Sequence, residues 1–117
     1  MAKVLLIEDE AIFLIDLSDQ LKKKGHQVFT AQNGIEGLEA LSNNPEIIFC
    51  DYRMPRMNGY AFCKAVKTDP QYKSYSNIPI VSIGSFPRDE REYLAKFMEK
   101  PILYREVFQA VEDFVKK

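Results

Sequence analysis

The sequence predicts an α/β protein built as an open, doubly wound three-layer sandwich. Short apolar runs alternate with amphipathic stretches along the whole chain, in a repeating strand-then-helix order. The runs are apolar throughout and rich in Val and Ile, which suits parallel strands covered on both faces. Short βα units of this kind are joined by right-handed crossovers that lay helices on both sides of one sheet. With 117 residues, 46% apolar and 12% aromatic, the chain fills one core and reads as a single domain over residues 1–117.

The elements follow in order. "KVLLI" is the first strand, and the first helix is expected from Ala11 to Lys24, ended by Gly25, with Phe13, Leu17 and Leu21 inward. "HQVFTA" is the second strand, where His26 is an ordinary edge residue with no expected partner. The second helix starts at Asn33 or its neighbours and stops near Asn43, before Pro45. "EIIFC" is the third strand; Gly59 opens the third helix, Phe62 and Val66 face inward, and Pro70 closes it. "IPIVSI" and "KFM" are read as the fourth and fifth strands. "SFPRDEREYLAK" between them must hold any fourth helix. Leu103, Val107, Ala110, Val111 and Phe114 give the last helix its core stripe, and the sequence closes on Val115, Lys116 and Lys117, so no separate output domain is expected.

Composition excludes several function classes. Sixteen basic against 17 acidic residues give a net charge of -1, the wrong balance for binding nucleic acid or anionic lipid. No run approaches the ~20 apolar residues of a membrane span, and the amino terminus lacks a signal-peptide pattern, so a cytoplasmic location is expected. Cys50 and Cys63 have neither metal nor redox spacing and read as reduced, packed thiols.

In an open parallel sheet the functional crevice lies beyond the carboxyl ends of the strands. Glu8 and Asp9 follow the first strand, Asp51 the third, and Lys100 the last. Taken singly, an acidic pair caps a helix and an aspartate caps a turn. Together at one sheet edge, three carboxylates repel one another unless a cation neutralises them. Mg²⁺ suits such a set, with a backbone carbonyl, waters and phosphate oxygens as the other ligands. Asp51 is then a candidate nucleophile beside a metal, with Lys100 balancing phosphoryl charge.

These residues resemble the receiver domain of two-component response regulators over the whole chain. The carriers are Glu8 and Asp9 after the first strand, "DYRMPRMNG" starting at Asp51, and Lys100-Pro101 after the fifth strand. The resemblance implies a five-stranded sheet in order 2-1-3-4-5 and phosphorylation of Asp51 by a histidine kinase or histidine phosphotransfer protein. It implies Mg²⁺ bound by Asp9, Asp51 and the Arg53 carbonyl, with Glu8 acting mainly through a water on the metal. Lys100 would contact the phosphoryl group, and Phe97 matches the aromatic whose rotamer reports activation. The protein would signal rather than act as an enzyme, beyond catalysing its own phosphoryl transfer and dephosphorylation.

Two departures stand out. The family's switch Ser/Thr falls on Gly84, with Ser85 one position later as a substitute if the strand end bulges; Ser82 is a poorer one. The stretch from Gly84 to Lys100 is short by about one and a half helical turns, so helix four is expected to be a stub or irregular. A phosphorylation-independent protein-binding module of the same fold is therefore the competing reading. A flavin carrier is excluded, because "IEDEAIF" would repel a flavin phosphate. Ile12 and Ile15, opposite Leu17, form a candidate docking face for a kinase or phosphotransfer helix. Tyr104, Phe108 and Val115 broaden the last helix for a homodimer or effector contact, or for packing against the shortened fourth segment.

Overall fold

The computed structural model describes residues 1–115; Lys116 and Lys117 lie outside the described residues. Strands β1 (Lys3–Ile7), β2 (Gln27–Ala31), β3 (Ile47–Cys50) and β4 (Ile80–Ser82) form one parallel sheet in order β2-β1-β3-β4. The helices are α1 (Ala11–Lys23), α2 (Gly34–Ala40), α3 (Gly59–Thr68) and α4 (Tyr104–Phe114). Short 3₁₀ turns cover Leu41–Asn43, Pro70–Tyr75 and Arg88–Glu90. No helix among the described residues is long and apolar enough to cross a membrane.

Strand alternation divides the core in two. Val4, Leu6, Phe49 and Val81 meet α1 and α4 through Leu14, Leu17, Leu21, Val107 and Val111. Leu5, Ile7, Ile48 and Ile80 point the other way, onto Phe62, Cys63, Val66 and Phe86. Complete burial of such a side chain contributes about 1.5–3 kcal/mol, which makes β1 and β3 the least exchangeable part of the chain. Cys50 and Cys63 are free and buried.

Helix ends follow the expected chemistry. Gly25, at φ +93°, closes α1: its N–H donates to the Lys22 carbonyl at 2.9 Å and the His26 N–H to the Leu21 carbonyl at 3.2 Å. Asn33 and Asn58 cap α2 and α3, each accepting from an N–H three residues on at 2.9 Å. Several side chains sit differently from expectation. The α1 stripe runs through Leu14, Leu17, Ser18 and Leu21, while Phe13 is half-buried. Leu103 is the exposed N-cap of α4 rather than part of its core stripe. His26 does have a partner, its Nδ1 accepting from the Ala2 N–H at 3.1 Å. The wide face of α4 packs against α1 and not the fourth segment: Tyr104 donates to Asp16, and Lys24 lies 4.9 Å over the Phe108 ring.

The main correction is the fifth strand, which does not form. "KFM" contributes one isolated bridge, Lys96 to Val81, with the Ser82 N–H donating to the Lys96 carbonyl at 3.0 Å. A continuing ladder would next join the Gly84 N–H to the Met98 carbonyl. Instead the fully buried Ser82 hydroxyl stands between them. It accepts from the Gly84 N–H at 3.2 Å and lies 2.6 Å from the Met98 carbonyl and 2.7 Å from that of Gly84. A serine hydroxyl thus bridges these groups at the point where the ladder stops. Ser82→Ala leaves these buried groups short of a partner and is expected to lower stability by about 1–3 kcal/mol, measured by urea unfolding. An unchanged midpoint would show that the hydroxyl does not hold this edge.

No α-helix forms between β4 and the bridge, where the chain makes the short Arg88–Glu90 3₁₀ turn and a further turn at Glu92–Tyr93. Phe86 drops into the α3-side core, 1% exposed, with its ring edge-on to Tyr52 at 5.2 Å. Tyr52 donates to Glu90 Oε1 at 3.0 Å and Tyr60 to Glu92 Oε1 at 2.9 Å. The segment is therefore strapped across α3 and the loop after β3.

Candidate functional site

β1 and β3 are neighbours with Ile7 paired to Cys50, so the residues that follow them, Glu8 and Asp51, emerge side by side. The Asp51 N–H still donates to the Ile7 carbonyl at 2.9 Å. Asp9, one residue on, is exposed at the rim. One carboxylate oxygen each from Glu8, Asp9 and Asp51 lie within 4.8 Å of one another. The three carboxylates expected from strand ends do converge.

Glu8 is 1% exposed and Asp51 5%. Glu8 Oε2 accepts from the Glu10 N–H at 3.0 Å; among the described residues, buried Oε1 receives no directed hydrogen bond but lies 3.0 Å from the Lys100 ammonium. Burial pushes the Glu8 carboxyl up to about 7, opposed by the Glu10 N–H and Lys100 and reinforced by Asp51. Burial alone would lower the Lys100 ammonium, but the Glu8 and Asp51 carboxylates outweigh it and hold it above its ordinary value. Lys100 Nζ also lies 3.5 Å from Asp51 Oδ2.

The two Asp51 oxygens differ. Oδ1 accepts from the Tyr52 N–H at 2.8 Å and faces Gly84, where an added Cβ would stand only 1.8 Å from it. Oδ2 faces Lys100. Gly59 is as constrained on the other side, since its Cβ would fall 2.2 Å from the Asp51 carbonyl. Glycine at these two positions lets the end of β4 close on the Asp51 carboxylate and α3 on its backbone carbonyl.

The other expected residues are spread around this centre. Arg53 lies in the loop after Asp51 and is exposed. Ser85 is exposed, and among the described residues its hydroxyl makes no hydrogen bond. Phe97 is half-buried beneath the Arg91 guanidinium, 3.6 Å from its ring centroid, while Arg91 Nε donates to the Phe86 carbonyl at 2.9 Å.

The response regulator receiver domain model matches residues 4–112. The chain belongs to that family. Protein PilG of Pseudomonas aeruginosa is 31% identical over 117 residues, covering 97% of this chain and 87% of PilG. The sensor histidine kinase CheAY of Helicobacter pylori is 35% identical over 85 residues, covering 70% of this chain, which corresponds to only 10% of that longer kinase. The crystal structure of chemotaxis response regulator CheY4 of Vibrio cholerae superposes with a TM-score of 0.83 at 28% identity, covering 98% and 99% of the two chains. This receiver departs from a five-stranded sheet at the Ser82 edge described above.

Two features of this receiver's site are not evident from strand-end logic. Phe13 brings its ring to 5.2 Å from Lys100 Nζ. Tyr52 ties the residue after Asp51 to the strap. A serine inside the otherwise apolar "IPIVSI" was the available signal for the Ser82 edge; Tyr52 and Phe13 carried none beyond their positions beside the acidic motifs.

Proposed function

We propose that this receiver accepts a phosphoryl group on Asp51, in a Mg²⁺-dependent reaction, from the phosphohistidine of a histidine kinase or phosphotransfer protein in the cytoplasm. The observation that carries this reading is the convergence of three carboxylates within 4.8 Å, two of them buried, with one ammonium 3.0 and 3.5 Å from Glu8 and Asp51. The donor set fits Mg²⁺: hard oxygens, crowded negative charge, and a buried Glu8 Oε1 without a directed hydrogen bond. Glu8, Asp9, Asp51 and the Arg53 carbonyl would hold the ion. When bound, it neutralises the carboxylates and the charge of the transferring phosphoryl group.

The chain's own residues supply the rest. Asp51 Oδ2 attacks phosphorus as the donor's P–N bond breaks; the electron pair leaves on the imidazole, which takes up a proton. Oδ1 stays anchored on the Tyr52 N–H, and Lys100 follows the charge from Glu8 onto the phosphoryl oxygens. Such chemistry needs placement and charge neutralisation more than covalent help. The product, an acyl phosphate carrying about −2 charge, alters the surface formed by the strap through the Tyr52 to Glu90 bond and Phe86. The acidic cluster supports this reading over a phosphate-independent binding module.

Incubation with acetyl phosphate, followed by intact-mass measurement, is expected to give a phosphate adduct with Mg²⁺ and none with EDTA. An adduct formed equally well in EDTA would remove the metal from the account.

A further inference from the structure

We infer that Phe13 is a positioning residue for phosphoryl transfer, its ring serving as a wall that keeps the Lys100 ammonium over the acidic pocket. The inference rests on the proposed role of Lys100 and adds a residue to it. Lys100 Nζ lies 3.0 Å from Glu8 Oε1, 3.5 Å from Asp51 Oδ2 and 5.2 Å from the centroid of the Phe13 ring. Its side chain is 40% exposed, and it belongs to an irregular link between the Lys96 bridge and α4 that no strand fixes. The first turn of α1 begins directly behind Glu8, Asp9 and Glu10, so the helix that follows the acidic pair carries the ring to the ammonium.

The ring does what neither carboxylate does. Glu8 holds Lys100 by charge, and a divalent cation in the pocket competes for that same charge. The attraction of a cation to an aromatic face within about 6 Å does not depend on Glu8 remaining available. Phe13 therefore retains the ammonium near Asp51 Oδ2 when Glu8 turns to the metal. A leucine there would fill much of the space and keep the packing against the core on which Phe13 rests, but would offer no π face.

The test compares the native protein with Phe13→Leu and Phe13→Tyr. In metal-free protein, NMR is expected to show the Lys100 ε-methylene protons shifted upfield by the ring, a shift lost in Phe13→Leu and kept in Phe13→Tyr. With saturating Mg²⁺ and acetyl phosphate, Phe13→Leu is expected to be phosphorylated about two- to fivefold more slowly, the span of an exposed cation–π contact. Phe13→Tyr restores the rate, and Mg²⁺ affinity, read from amide shifts, is the same in all three. An unshifted Lys100 in the native protein, a native rate in Phe13→Leu, or a Phe13→Tyr as slow as Phe13→Leu overturns the inference. No adduct on the native protein overturns the acceptor reading and this role with it; an adduct with an unchanged Phe13→Leu rate overturns only the latter.

Discussion

Gly84→Ala is expected to slow phosphorylation of this receiver by about 10- to 100-fold, because displacing a reacting group by an ångström is enough to do so. The added methyl would lie 1.8 Å from Asp51 Oδ1, 2.9 Å from its Cγ and 3.1 Å from the Tyr52 nitrogen. β4 is fully buried and pinned through Ser82, so the carboxylate has to yield. Turning it breaks the 2.8 Å bond from the Tyr52 N–H and moves Oδ2 relative to Lys100. The fold itself is expected to survive with a loss of about 1–3 kcal/mol, the usual consequence of overpacking. Gly84→Thr, which places a hydroxyl at the family's switch position, is expected to do no better. Initial rates with acetyl phosphate and urea midpoints on the same samples separate the two effects. A native rate in Gly84→Ala would mean that β4 does not close on Asp51 in this way.

Glu8→Gln is expected to stabilise the metal-free protein at alkaline pH while weakening its hold on Mg²⁺. Burial raises the Glu8 carboxyl from 4.5 to about 7 in the folded chain. Between those values the folded state keeps a proton that the unfolded state has released, so this group's contribution to stability falls as pH rises through the window. Above it the full penalty of a buried charge remains. Glutamine has no such dependence. At about pH 8 without divalent cation, Glu8→Gln is expected to be more stable than the native chain by about 1–3 kcal/mol, a gap that closes below pH 4.5. Mg²⁺ bound as proposed is expected to stabilise the folded native protein by mass action and to narrow or reverse the gap at alkaline pH. Urea unfolding of both proteins across this range, with Mg²⁺ and with EDTA, reads the effect; parallel pH profiles would show that Glu8 is not buried as a charge.

The parts of the fold legible in the sequence are those fixed by local pattern. β1 and β3 are uninterrupted apolar runs that only a doubly covered central strand satisfies, and Gly25, Asn33 and Asn58 punctuate helices through chemistry within a few residues. The meeting of Glu8, Asp9 and Asp51 was legible for a related reason: strands in one parallel sheet deliver their carboxyl ends to one edge. The fifth strand was not, because "KFM" is strand-like on its own, yet its ladder stops after one bridge, where the Ser82 hydroxyl links the Gly84 N–H to the Met98 carbonyl. Phe13 read as an inward core residue since its α1 spacing nearly matches Leu17 and Leu21, and it does pack against that core; only the path of the link around Lys100 reveals that its ring also lies beside the ammonium. Phe86 sat in a segment expected to be a helical stub, and its burial depends on Gly59 leaving room beside the Asp51 loop, a contact no periodicity reports.

Asp51 as the phosphoryl acceptor is the assignment on which every other role at this site depends. Native protein and Asp51→Asn, each incubated with acetyl phosphate and Mg²⁺, rapidly quenched and weighed intact, decide it. An adduct on the native chain and none on Asp51→Asn is the predicted result. Equal adducts on both would place the phosphate on another residue and contradict the reading of this site.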